Sequence, residues 1–213
     1  MKLRNKKILI TAGPTWVKID DVRVISNTAT GETGILLARV FSRFKAKVTL
    51  LLGPGKDPGL GSGIIVKRFK FFDELKHLLE RELKYNKYDL AAHSAAVSDY
   101  RPCVSFSNKI KSGLKKISIK LKPTPKIISI FKRMQPGLFL IGFKYEPDAS
   151  REDLIREALS LIERSRADLV VSNTLRQGRY TAYLAGFDKC SKPLFTKTAV
   201  ARSIIRIIKD YDA

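Results

Sequence analysis

The sequence predicts an α/β protein: a Rossmann-like three-layer fold with a mainly parallel central sheet, a mobile flap and a terminal β-hairpin. Three observations carry this expectation. Residues 8–12 and 48–52 are short, continuously apolar runs, as in strands buried on both faces. Helix-period segments alternate with such runs, which favours a parallel sheet covered on both sides. A long polar loop, residues 13–34, joins the first strand to the first helix, at the position where open α/β sheets bind ligands.

The loop reads GPTWVKIDDVRVISNTATGETG and exceeds the usual length of about two to six residues. It ends in Thr28-Ala29-Thr30-Gly31. A helix start there presents free N–H groups and its positive end, so phosphate is a predicted occupant. An ordinary loop with Thr30 as helix N-cap is the alternative. A helix over residues 31–44 follows, then strands at 48–52 and 64–66, a helix at 72–83 and a strand starting at 89–92.

Residues 100–116 break the pattern. They are rich in Ser, Lys and Asn and read as the mobile flap. Residues 117–121 alternate like a half-exposed strand. Pro125 is expected in the first turn of a helix reaching about Met134. A buried strand at 138–143 and an amphipathic helix at 151–164 follow, with Ser150 and Asp153 as its start signal. A strand at 168–172, a hairpin within 180–195 and a helix at 199–208 close the chain. No linker divides it, so residues 1–213 are expected to form one domain.

Lys and Arg number 41 against 20 Asp and Glu, a formal net charge of +21. Such a surface draws polyanions and steers anionic small molecules. The basic residues are spread along the chain, without zinc-finger, basic-zipper or aromatic RNA-binding signatures, so a nucleic-acid partner is not expected. No stretch is apolar enough to span a bilayer, and no signal peptide is evident. Cys103 and Cys190 form no metal or CxxC spacing, so the reading is a reducing cytoplasm. The chain lacks G-x-G-x-x-G, Walker A and G-x-S-x-G motifs, so a nucleotide must be held some other way.

Several blocks fall in one order: ITAGPT at 10–15, ID-D-VR at 19–23, ISN at 25–27, Thr30-Gly31 with Gly34, and AAVSDYRP at 95–102. NKIK at 108–111, PKII at 125–128, IGF at 141–143 and ADLVVSN at 167–173 complete the set. Together they resemble the phosphopantothenate–cysteine ligase family, the C-terminal family of the DNA/pantothenate metabolism flavoproteins, in its free-standing bacterial form. The resemblance covers the chain to about Asn173. It implies that CTP (or ATP), with Mg2+ carried by the triphosphate and no dedicated metal ligand, activates 4′-phosphopantothenate. L-Cysteine then displaces the nucleotide. It also implies a homodimer. An NADP-binding oxidoreductase of atypical loop type and a basic nucleic-acid module remain as alternatives.

The resemblance assigns catalytic roles to Asn27, Lys109 and Arg23. Asn27 would donate to the carboxylate or acyl carbonyl, Arg23 would pair with the carboxylate, and Lys109 would ride on the flap. Nucleotide contacts are expected from Gly13, His93, Ser94, Ala95, Ala96, Asp99, Lys109, Thr124, Pro125, Lys126, Ile127, Phe143 and Lys144. His93 and Phe143 also read as core residues. Asn27, Thr30, Gly31 and Lys111 are expected at phosphate or substrate. Two family lysines are replaced, at what align as Leu161 and Ser165, with Lys144, Arg164 or Arg166 as candidates to compensate.

Overall fold

The structure is a computed structural model and describes residues 1–186 and 189–211. In chain order the elements are β1 (Lys7–Ala12), β2 (Trp16–Lys18), β3 (Val24–Ser26), α1 (Glu32–Arg43), β4 (Lys47–Leu52) and β5 (Ile64–Arg68). Next come α2 (Phe72–Tyr85), β6 (Leu90–His93), β7 (Tyr100–Pro102), β8 (Leu121–Pro123), α3 (Ile128–Met134) and β9 (Phe139–Tyr145). The chain ends with α4 (Arg151–Ser165), β10 (Leu169–Arg176), β11 (Arg179–Gly186), β12 (Lys189–Cys190) and α5 (Lys197–Asp210).

Among the described residues, eight strands form one sheet in the order β12-β11-β10-β9-β6-β1-β4-β5. β10 to β5 are parallel, and β11 and β12 add an antiparallel edge. Successive side chains of a strand face opposite ways, and β1 shows the result. Ile8 and Ile10 enter a core shared with Leu37 and Phe41 of α1 and Ile204 and Ile208 of α5. Leu9 enters a second core with Leu75 and Leu79 of α2 and Phe131 of α3. Both faces are thus covered, which is why these strands read as unbroken apolar runs.

The structure corrects several expectations. The loop after β1 contains a hairpin, β2 paired with β3. Thr30 does not cap α1; Gly31 does, at φ 77° and without a side-chain cap bond. Residues 117–120 form no strand; only Leu121 of that run joins β8, which pairs with β7. α3 begins at Ile128, not Pro125, because Thr124 is tied instead to the β6 side. Its N–H donates to Asp99 O (2.9 Å) and its hydroxyl to Ser98 O (2.7 Å). β11 turns back onto β10 about Gln177 and Gly178, both at positive φ (47° and 74°), a twist that suits a two-residue hairpin. Phe187 and Asp188, inside the expected 180–195 hairpin, lie outside the described residues.

Candidate active site

The carboxyl ends of β1 and β4 and the start of α1 are drawn together by glycine. Gly13, at φ 82°, has Gly53 Cα and N 3.2 Å from where a Cβ would stand. Gly31 would place a Cβ 3.0 Å from Gly13 N. A Cβ at either place would crowd the neighbouring backbone, and both residues hold the left-handed φ that glycine adopts without strain. The chain after β1 then runs beside the continuation of β6: Ala96 N–H donates to Gly13 O (3.0 Å), and Thr15 N–H donates to Ala96 O (3.2 Å).

Beyond β6 and β9 lies a cavity of about 210 Å³. Its lining includes His93, Ala95, Asp99, Thr124, Pro125, Lys126, Ile127, Phe143 and Lys144, all expected nucleotide contacts. Leu161 and Arg164 of α4 also line it, with Val97, Ile128 and Ser129. A larger cavity, about 800 Å³, sits among Lys6, Asp89, Gln135 and Asp168 and holds none of the expected residues. Lys6 and Asp89 mark it as the amino edge of the sheet, away from the edge where α/β folds bind ligands.

The polar groups of the cavity are constrained. His93 is buried, with Nδ1 2.7 Å from the Thr11 hydroxyl and its ring against Phe131. Burial holds its pKa down at about 4, so the ring is neutral at pH 7. Lys144 pairs with Glu146 (2.8 Å) and Glu157 (3.5 Å). Burial alone would lower its pKa, but the Glu146 and Glu157 carboxylates raise it, so the ammonium stays charged. Asp99 and Lys126 pair at 2.6 Å while both remain well exposed. Ser165 cannot reach the cavity; it is buried, donating to Leu161 O (2.6 Å) and accepting from Ala167 N–H (3.3 Å).

Asn27 is exposed beside this cavity. Its Nδ2 donates to Ala96 O (3.0 Å) and approaches Val97 O (3.4 Å). These carbonyls engage the amide nitrogen, the end expected to meet substrate. Arg23 is not free either, since its Nη1 donates to Asp20 Oδ2 at 2.5 Å. Lys109 and Lys111 are exposed and lie outside the cavity lining, as do Thr30, Gly31, Gly13, Ser94 and Ala96. The partners that orient these residues, Thr11, Thr15, Ser98 and Asp20, carried no individual role in the sequence reading.

The fold and the cavity's position define a doubly wound α/β protein whose candidate site lies at the carboxyl edge of a mainly parallel sheet. The chain belongs to the DNA/pantothenate metabolism flavoprotein C-terminal domain family, which it matches over residues 3–211. It is 39% identical over 206 residues to the coenzyme A biosynthesis bifunctional protein CoaBC of Thermococcus kodakarensis, covering 95% of this chain and 50% of that protein. With the CoaBC protein of Borreliella burgdorferi the identity is 31% over 212 residues, covering 97% and 53%. The chain therefore spans about half the length of these relatives. The crystal structure of the DNA/pantothenate metabolism flavoprotein from Streptococcus pneumoniae superposes with a TM-score of 0.86 at 27% identity, covering 97% of this chain and 99% of that one. A Cab2 mutant in complex with phosphopantothenate-cysteine superposes with a TM-score of 0.79 at 18% identity, over 98% and 87%, and speaks for the fold alone.

Proposed function

We propose that residues 1–213 act as one unit, a phosphopantothenate–cysteine ligase of coenzyme A biosynthesis. The observation that carries this reading is the cavity at the ends of β6 and β9. It gathers His93, Ala95, Asp99, Thr124, Lys126, Phe143 and Lys144 beside the Asn27 turn. The family membership and the CoaBC relatives support it.

In the first half-reaction a carboxylate oxygen of 4′-phosphopantothenate bonds to the α-phosphorus of CTP or ATP. The bond from that phosphorus to the oxygen bridging to the β-phosphate breaks, and pyrophosphate leaves; Mg2+ carried by the triphosphate would offset its charge. In the second, cysteine's amine attacks the acyl carbon, loses a proton and expels the nucleoside monophosphate. Both steps bring negative groups together, so fixed cations and N–H donors must be in place beforehand. Lys144 and Arg164 supply charge on the α4 side, where the family lysines are absent. Lys109 and Lys111 supply it from the flap. Asn27, whose amide is held in place by Ala96 O, faces the reacting carboxyl group.

A homodimer in a cytoplasmic setting completes the proposal. β2 and β7 are in contact, and their surroundings expose Val22 (66%), Val104 (72%), Phe106 and Leu121. An apolar surface of this kind marks association. The decisive experiment measures pyrophosphate release with CTP and, separately, ATP, each with 4′-phosphopantothenate and cysteine. Release dependent on 4′-phosphopantothenate is expected with at least one nucleotide. No release with either overturns the reading.

A further inference from the structure

Asp20 sits at the tip of the β2–β3 hairpin, where its neighbours Asp21 and Val22 are exposed, yet its side chain is 0% exposed. A buried carboxylate is tolerated only when its oxygens are matched by donors. Oδ1 accepts from the amides of Val22 (2.8 Å) and Arg23 (2.7 Å), which closes the turn locally. Oδ2 accepts from the Arg23 guanidinium (2.5 Å) and from the amide of Ile110 (3.0 Å), a residue 90 positions away. Arg23 Nη1 also donates to Ile110 O (3.3 Å). Both main-chain groups of Ile110 are therefore held by one ion pair. A second stitch joins the same segments, with Phe106 N–H donating to Ile19 O (2.9 Å). Ile110 lies between Lys109 and Lys111, whose side chains are exposed.

We propose that Asp20, together with Arg23, is a positioning residue that clamps the flap by its main chain at Ile110 and so fixes where Lys109 is presented. The kinetic part of this inference rests on the ligase reading; the clamp does not. The Ile110 amide, the Val22 and Arg23 amides and the Arg23 guanidinium hold the Asp20 carboxyl well below the usual range, against the opposing effect of burial. The clamp is thus charged throughout neutral pH.

The test compares the full-length wild type with Asp20→Ala, Asp20→Asn, Lys109→Ala and the Asp20→Ala/Lys109→Ala double variant, each checked for an intact far-ultraviolet circular dichroism spectrum. Without ligand, trypsin nicking after Lys109 and Lys111 should quicken about tenfold in Asp20→Ala and less in Asp20→Asn, which keeps one acceptor oxygen. With substrates, Asp20→Ala should lower kcat by about 30- to 100-fold while KM for cysteine moves by less than about threefold. In the Lys109→Ala background the same substitution should cost less than about twofold, because a residue that acts through another has nothing left to position. Unchanged nicking, or losses that multiply in the double variant, overturns the proposal. If the wild type releases no pyrophosphate, the ligase reading fails while the nicking result still decides the clamp.

Discussion

Asn27 and His93 show how far a single side chain can be committed before any ligand arrives. Asn27 hangs from Ala96 O, so its amide is oriented in advance, the condition under which one dipole carries weight in a reaction. Asn27→Ala and Lys109→Ala should each lower kcat by at least about 100-fold in the pyrophosphate assay while leaving the melting temperature near wild type. Near-normal turnover in either would remove that residue from the chemistry. His93 makes a different prediction. Its folded-state pKa of about 4 lies below its ordinary value of 6.5, so the unfolded chain binds the extra proton first as pH falls. Its stability contribution is complete above about pH 6.5 and is lost as pH drops towards 4. Between pH 7.5 and 4.5 the loss should be about 2–3 kcal/mol. Urea midpoints of wild type and His93→Gln should therefore converge on acidification, and parallel pH profiles would contradict the assigned burial.

At the scale of elements, α2 carries a polar cluster inside the fold. Glu82 is 3% exposed and accepts from Lys67 of β5, from Tyr88 Oη (2.7 Å) and from Asn86 Nδ2 (3.2 Å). Burial alone would raise its pKa, but the bonds from Lys67 and Tyr88 prevail and lower it. Lys67→Met leaves that carboxylate without its cation, which should cost about 2–3 kcal/mol. In a chain of this size that is a drop of about 5–10 °C in a thermal melt. Helix periodicity assigns an acidic residue such as Glu82 to solvent, so this cluster was not legible. β1, β4, β6, β9 and β10 were legible, because burial on two faces writes itself as a run of Ile, Leu, Val and Ala. β2 and β3 were not, since each is only three residues long, too short to show a period. The β10–β11 turn escaped because Gln177-Gly178 is not among the common I′ pairs. Residues of the cavity were legible from ordered motifs at strand ends. Asp20 gained its role only through a partner in the flap, a distance in sequence that no local pattern encodes.

For the whole molecule, charge and association pull against each other. Each chain carries +21, and a homodimer would bring two such charges together. Self-repulsion of this size is long-ranged at low ionic strength and screened within about 10 Å at 0.1 M salt. Light scattering should report twice the 24.0 kDa chain mass, with the dimer tightening as salt is raised. A dimer that loosens in salt would place ion pairs, not the apolar surface near Val22 and Val104, at the interface.

The grip on Ile110 touches only atoms that every residue but one possesses. The lettering of the flap can therefore drift, retuning what it brushes against, without losing its anchorage. Proline is the exception, since it has no amide hydrogen to give. Position 110 should accept alanine, valine or serine almost silently and refuse proline, the mark of a loop tethered by its spine and left free in its dress.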